Sequence, residues 1–336
     1  MQHPALLFQS PDHDGSLNLA LEETLLMDPH PAASEVLFLW QNSPCVIVGR
    51  HQCVYDEVHL DYTQRNGIEV FRRMTGGGAV YQDMGNLNVS LLCFNRPSAK
   101  EAGARLQNIL IAALEDVGVS AKSRGRNDLE VSGRKISGTS GLVLSQGTLV
   151  HGTLLVHVSM EALERSLDVN PEKLRSRGLR SVRARTVNIA DLWHPGASIE
   201  RLCARIMHHA HAQSASLSED ILQKARERRA EKYARPSWNF GSRLPETIVA
   251  SHRFPWGTVS MHCRIEEGRI RAWRISGDFF ALRDLEEIEE RFVGLDAERE
   301  SLQRVFRAVP WDAYIMNADA ALLATSFGSD LPSCFS

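Results

Sequence analysis

The sequence predicts a mixed α+β fold, with a large domain of mostly antiparallel sheets flanked by helices over residues 1–245 and a small α+β domain over 246–336. Short apolar runs bounded by turn residues alternate with segments of helical spacing over residues 6–118. Residues 124–156 read as an antiparallel meander, and near Ile248 the pattern changes to paired strands followed by helices. With 336 residues, 43% of them hydrophobic, the chain has enough apolar surface for a full core. A net charge of -3 gives no global field for nucleic acid. The six cysteines form no C-x-x-C pair and fit the reduced thiols of a cytoplasmic protein. No apolar run has the length of a membrane span, and the first lysine or arginine is Arg50, so neither a membrane segment nor a targeting segment is expected.

In chain order, residues 6–9 predict a short strand, and residues 16–26 predict a helix from the spacing of Leu17, Ala20, Leu21, Thr24 and Leu25, with Ser16 as its cap. The apolar runs 36–40 and 45–48, separated by four residues, predict a hairpin of buried strands. A helix over 56–66, stopped by Gly67, then feeds a strand over 68–71. That strand runs through Arg72 and Arg73 into Thr75 and three consecutive glycines, and the chain returns through Ala79, Val80 and Tyr81, which predicts strand, glycine hairpin, strand. Glycine accepts positive φ and carries no side chain, so Gly76, Gly77 and Gly78 let backbone N–H groups converge on an anion, with the two arginines supplying charge. The alternative is a tight hairpin flanked by solvated arginines.

A helix over 100–117, closed by Gly118, leads to the meander, whose turns are expected at Asn127-Asp128, Ser132-Gly133 and Gln146-Gly147. The segment G-R-K-I-S-G-T-S from Gly133 nearly spells a P-loop, but Thr139 stands where the phosphate lysine belongs and no helix start follows. The lysine sits instead inside a strand, at Lys135, where any phosphate contact is a point charge from the sheet. Tyr81 occupies the last glycine of a dinucleotide fingerprint, so that reading fails too. His151, within an apolar run, reads from the residues alone as an interior histidine. His208, His209 and His211 lack acids or cysteines at metal spacing. There is no G-x-S-x-G elbow for a serine hydrolase.

The string R-R-x-T-G-G-G-A-V-Y-x-D-x-G-N-L-N from Arg72, with N-D-L at Asn127, G-R-K-I-S-G-T-S at Gly133 and H-G-T-L-L-V at His151, resembles lipoate-protein ligase. The likeness continues through S-V-R-A-R ending at Arg185, W-N-F-G from Trp238 and F-P-W-G from Phe254, so it covers nearly the whole chain and resembles the long two-domain bacterial type. The resemblance implies activation of lipoate with ATP to lipoyl-AMP, then transfer to a lysine of acceptor lipoyl domains, those of 2-oxoacid dehydrogenase complexes and the glycine cleavage H protein.

It implies Lys135 as the catalytic lysine, meeting both carboxylate and α-phosphate. Arg73, Gly78, Ala79, Val80 and Tyr81 are implied with it at the adenylate, Arg72, Gly77 and His151 with it at lipoate, and Asp128 at a magnesium ion. Gln82 stands where bacterial members often show histidine, and Ser140 where alanine is usual, so the walls of the acyl pocket are expected to differ. An octanoyl or lipoyl transferase of the same fold would need a cysteine after the lysine motif, and none occurs between Cys93 and Cys203. A lipoate- or adenylate-binding protein without turnover is the other alternative.

The remainder predicts helices over 199–211 and 219–234, the second dense in Lys224, Arg226, Arg228, Arg229 and Lys232, which reads as a solvated face. Strands over 259–265 and 269–275 with helices over 282–292 and 297–308 complete the small domain. That domain is expected to act as a mobile lid, joined near Leu244-Pro245.

Overall fold

The computed structural model describes residues 5–28, 33–125, 127–168, 185–193, 196–241 and 248–330. The chain divides into two compact units. The first comprises residues 1–48, 57–74 and 79–239, and the second residues 49–56, 75–78 and 240–336. The glycine loop is therefore grouped with the C-terminal residues, and the expected joint near Leu244-Pro245 lies outside the described residues.

The first unit begins with β1 (Ala5–Gln9), α1 (Gly15–Met27), β2 (Glu35–Trp40), β3 (Cys45–Val48), α2 (Val54–Glu57, mostly in the second unit) and α3 (Leu60–Arg65). The helix expected over 56–66 is thus broken, because Val58 bridges to Leu167 and the N–H of His59 donates to the Ser166 carbonyl at 3.0 Å. Asp14, not Ser16, caps α1, its carboxylate accepting from the backbone N–H groups of Ser16 and Leu17 and from the Ser16 hydroxyl.

Then follow β4 (Glu69–Arg72), β5 (Val80–Gln82), β6 (Asn86–Cys93), α4 (Ala99–Glu115), β7 (Lys122–Arg124), β8 (Asp128–Val131), β9 (Arg134–Val143), β10 (Thr148–Leu155), α5 (Met160–Ser166) and, after the helix Ile199–His209, β11 (Ala212–Ser214).

Among the described residues, eight strands form one sheet in the order β11-β1-β2-β6-β10-β9-β8-β7. It is antiparallel except where β1 pairs with β11 and β2. The meander from β7 to β10 follows the sequence pattern, and Ser132 and Gly133 at its tightest turn take φ of 51° and 78°. Side chains of β2 alternate between two cores. Leu37 and Leu39 join Val89, Leu91 and the apolar face of α4, whereas Val36, Phe38 and Trp40 join Leu21, Leu25 and Ile47 on the other side.

The hairpins expected around residues 41–44 and the glycines do not form. β3 leaves β2 for a separate three-stranded sheet of order β4-β3-β5, in which it pairs parallel to β4 and antiparallel to β5. The strands flanking the glycines are thus separated by β3. A chain of buried amides ties this small sheet to the large one. Asn18 Nδ2 donates to Asn42 Oδ1 at 2.9 Å, Asn42 Nδ2 to Gln82 Oε1 at 2.8 Å, and Gln82 Nε2 to Asn88 Oδ1 at 2.8 Å. Asn88 Nδ2 returns a bond to Gln82 Oε1 at 3.0 Å, and Asn86 Nδ2 adds one to Asn88 Oδ1 at 3.1 Å.

The basic run is less solvated than its charge pattern suggests. From the helix Glu219–Arg228 and the turn that follows, Lys224 reaches Asp28 at 3.3 Å, Arg229 reaches Asp14 at 2.7 Å and Lys232 reaches Glu23 at 2.6 Å, so much of the charge is spent on α1.

The second unit has its own sheet, β12 (Ile248–Phe254), β13 (Gly257–Glu266) and β14 (Arg269–Gly277), an antiparallel meander whose second turn holds Glu267 and Gly268 at φ of 53° and 74°. Its core is aromatic, with Trp273 stacked on Phe292 at 4.3 Å and Phe306 beside Trp311 at 5.6 Å. The helix expected over 282–292 is confined to Glu286–Glu289, because Leu282 donates its N–H to the Tyr314 carbonyl at 2.7 Å and Ala281 bridges to Ile315. The helix Arg299–Ala308 matches the expected one.

Candidate active site

Lys135 lies on β9, where its backbone pairs with Glu130, and a register shift in β8 between Leu129 and Glu130 sets Asp128 opposite Gly138. The ammonium of Lys135 folds back over the strand to reach Asp128 Oδ1 at 2.7 Å. Gly138 makes this possible, since a Cβ there would fall 2.7 Å from the Lys135 nitrogen. The glycine of the G-R-K-I-S-G-T-S segment thus leaves room for the charge. Arg185 donates from Nη2 to the other carboxylate oxygen, Asp128 Oδ2, at 2.7 Å.

Burial pushes the Asp128 carboxyl up, and Lys135 and Arg185 outweigh it, leaving the group below its ordinary value. Among the described residues two cations share this carboxylate, in a partly buried setting. The lysine side chain is 24% exposed and that of Asp128 17%, which leaves the cluster open enough to meet an anion.

A second cluster surrounds His151 on β10. Its Nδ1 lies 2.8 Å from Glu22 Oε1, Ser90 Oγ donates to the same oxygen at 2.5 Å, and Trp40 Nε1 donates to Ser90 Oγ at 2.9 Å. Glu22 is buried because α1 is covered on nearly all sides, and its Oε2 has no hydrogen-bond partner among the described residues. The guanidinium of Arg73 is buried in the field of this carboxylate. Burial lowers its pKa and the Glu22 charge raises it, with Arg72 lowering it further, for a net fall to about 10, so it remains a cation at neutral pH. Its Nη1 also donates to the Ile47 carbonyl at 3.2 Å. His151 is interior, as its apolar neighbours suggest, yet it belongs to this polar cluster.

Arg72 is fixed differently. Its Nε donates to the Trp238 carbonyl at 3.0 Å, its N–H to Asn239 Oδ1 at 3.1 Å, and Trp238 Nε1 returns a bond to the Arg72 carbonyl at 2.8 Å. This gives the W-N-F-G segment a physical role as the brace of β4. Val80 and Tyr81 on β5 face Ile47 and Val46 across β3, with Ala79 just before them. The Tyr81 side chain is buried, and burial together with Asp83 raises its phenol pKa. Gly77, at φ 89°, lies with Gly78 in the segment grouped with the second unit.

The structure therefore joins Lys135 to Asp128 and Arg73 to the cluster holding His151, and it sets Arg72, Val80 and Tyr81 on the small sheet. Sequence reasoning gave no role to Glu22, although an acid inside the apolar helix 16–26 was a usable signal, and none to Arg185 beyond its place in the S-V-R-A-R motif. The remainder of that motif lies outside the described residues.

Burial pushes the thiols of Cys93, Cys203 and Cys263 up to about 12, and that of Cys53 to about 11. Among the described residues there is no group of three His, Cys, Asp or Glu placed to hold a metal ion, and no helix is long and apolar enough to cross a membrane.

Comparison with known proteins agrees with these motifs. Residues 14–211 match the family described as lipoyl protein ligase A/B catalytic domain, and residues 246–326 match the bacterial lipoate protein ligase C-terminus. The chain is 31% identical over 312 residues to lipoate-protein ligase LplJ of Bacillus subtilis, covering 91% of this chain and 94% of that one.

Among solved structures, the bipartite lipoate protein ligase of Thermoplasma acidophilum, studied with its E2 lipoyl domain, is 28% identical with a TM-score of 0.64, covering 74% of this chain and 100% of its own. A lipoate-protein ligase A bound with ATP is 26% identical with a TM-score of 0.63, covering 72% of this chain and 99% of its own. With a catalytic-domain match over most of the first unit, a C-terminal match in the second and a relative aligned over nearly its whole length, the chain belongs to the lipoate-protein ligase family.

Proposed function

We propose that the protein activates free lipoate with ATP and transfers the lipoyl group to a lysine of an acceptor lipoyl domain. The lipoate carboxylate attacks the α-phosphorus, pyrophosphate leaves, and the mixed anhydride is then attacked at its acyl carbon by the acceptor amine, releasing AMP. The observation that carries this reading is the Lys135 ammonium, held at 2.7 Å by a carboxylate that Arg185 also binds. A positioned cation between two anions lowers their repulsion and stabilises the charge that builds in an in-line displacement. Asp128 orients that cation, and Arg185 shares the same carboxylate.

Arg73 adds a second buried cation, and the backbone of Gly78, Ala79, Val80 and Tyr81 is proposed to bind the adenylate. Arg72, Gly77 and His151 are proposed at the lipoate. Magnesium accompanies a triphosphate and takes phosphate oxygens with one or two carboxylates. Asp128 fits as the single protein ligand if it exchanges Lys135 or Arg185 for the metal, since both its oxygens are engaged.

The relative bound with ATP and the relative studied with its E2 lipoyl domain support the two halves of the reaction. Acceptors of the same kind, in 2-oxoacid dehydrogenase complexes and the glycine cleavage H protein, are proposed here, in the cytoplasm. A transferase working through a thioester is disfavoured by the raised thiol pKa values. The test is pyrophosphate release from protein, ATP, magnesium and lipoate, followed by the mass of a lipoyl domain incubated with lipoate or octanoate. Binding of lipoate without pyrophosphate release would identify a non-catalytic binder.

A further inference from the structure

The second unit gathers two short stretches of the N-terminal half, Gly49–Asp56 and Thr75–Gly78, around the turn that follows β14. The Arg50 N–H donates to the Thr75 carbonyl at 2.8 Å, joining the two stretches to each other. The Gly277 N–H donates to the His51 carbonyl at 3.0 Å, and the Gly77 N–H points to the Phe279 carbonyl at 3.5 Å. Above these backbone contacts the rings of His51 and Phe279 stack, with centroids 5.6 Å apart and planes inclined by 17°.

The fit at the loop itself is tight. A Cβ on Gly76 would fall 2.5 Å from the Phe279 carbonyl oxygen and 3.3 Å from the Phe280 Cα, so only glycine takes that position without moving the loop or the turn. Phe279 is fully buried and His51 half-buried.

A run of three glycines has more backbone freedom to lose than any other tripeptide. A nucleotide site made of backbone amides therefore depends on something outside the loop to hold those amides in one arrangement before the ligand arrives. We propose that His51 and Phe279 are that support. They form the seat of the glycine loop and act as positioning residues for adenylate formation, through the backbone of Gly76 and Gly77 and not through contact with the reacting atoms. This rests on the reading of the reaction given above. It also makes the C-terminal residues a structural part of the nucleotide loop, whatever else they do.

The full-length protein with His51→Ala, His51→Phe and Gly76→Ala tests the seat. His51→Ala removes the ring from a half-buried position. It should raise the KM for ATP in lipoate-dependent ATP–pyrophosphate exchange about threefold to tenfold, the size of one aromatic pair, and by more than it raises the Kd for lipoate, which Gly77 also meets in the reading above. Hydrogen exchange at the amides of Gly76 and Gly77 should quicken in the same variant. His51→Phe keeps a ring on Phe279 and should restore both readouts. Gly76→Ala should be the more severe change in KM and should also lower the melting temperature, since its Cβ forces the loop or the turn to shift.

Unchanged KM and unchanged amide protection in His51→Ala would overturn the proposal, as would faster exchange of pyrophosphate, which would mark a restraining contact. His51→Phe as defective as His51→Ala would assign the imidazole a chemical role instead. If the wild type exchanges no pyrophosphate, the reading of the reaction fails, and amide protection in His51→Ala still decides the seat.

Discussion

Replacing Lys135 by Met keeps much of the side chain's length and removes its charge. Among the described residues, Lys135 and Arg185 share the Asp128 carboxylate, two cations to one anion; Lys135→Met leaves the Arg185–Asp128 pair. An anion about 4 Å from a unit charge gains roughly 4 kcal/mol at an effective dielectric of about 20. The lysine side chain is only 24% exposed, so solvent screening removes little of that. The expected loss is about 3 to 4 kcal/mol of transition-state stabilisation, or more than a hundredfold in the rate of adenylate formation.

The assay is lipoate-dependent ATP–pyrophosphate exchange beside a thermal melt. Asp128 retains Arg185 as partner, so the fold should survive with little change in melting temperature. Near-normal exchange from a folded Lys135→Met protein would refute the reasoning and leave Lys135 a structural partner of Asp128.

Gly77→Val should weaken nucleotide binding more than lipoate binding in calorimetry, because Gly77 sits at φ 89°, which a β-branched residue resists; equal losses would make the loop a general structural element. Asp128→Asn should slow adenylate formation by about tenfold, as two cations lose the carboxylate that orients them. The Asp128 pKa is depressed on folding, so its stabilisation is fully present above 3.8 and is lost as pH falls through the folded value. Denaturant titrations should therefore show the wild-type advantage over Asp128→Asn shrinking at acid pH. Burial lowers the pKa of His262, with Asp56 acting against the fall, so the second unit should lose stability as pH drops below 6.5. His262→Asn should flatten that part of the profile, and an unchanged profile would remove His262 as its source.

The meander from β7 to β10, the helices α1 and α4 and the paired strands of the second unit were legible because each follows from local periodicity and turn residues. Strand partners were not legible in the same way. The runs 36–40 and 45–48 are both strands, but nothing local says that β3 crosses to pair with residues on both sides of the glycines. A stretch with Leu282, Leu285, Ile288 and Phe292 at helical spacing suggested a helix, yet Leu282 is 46% exposed and its N–H bonds to Tyr314, at the end of the distant short helix Trp311–Tyr314. At the site, the linked motifs singled out Lys135, but its grip on Asp128 depends on the β8 register shift, which only the fold sets, and on the fold bringing Gly138 beneath the ammonium. Glu22 went unassigned because its importance comes from burial of α1 on nearly every side, which the spacing of apolar residues understated.

The amide chain from Asn18 through Asn42 and Gln82 to Asn88 has a direction. Each link uses an NH2 on one residue and a carbonyl on the next, so turning over one amide would set like groups face to face and force its neighbours to turn as well. No member changes charge with pH, so the joint between the two sheets keeps the same polarity in acid and alkali. An aspartate or histidine entering at one of these positions changes the donors and acceptors its neighbour must meet, most of all at Gln82 and Asn88, which bond each other in both directions.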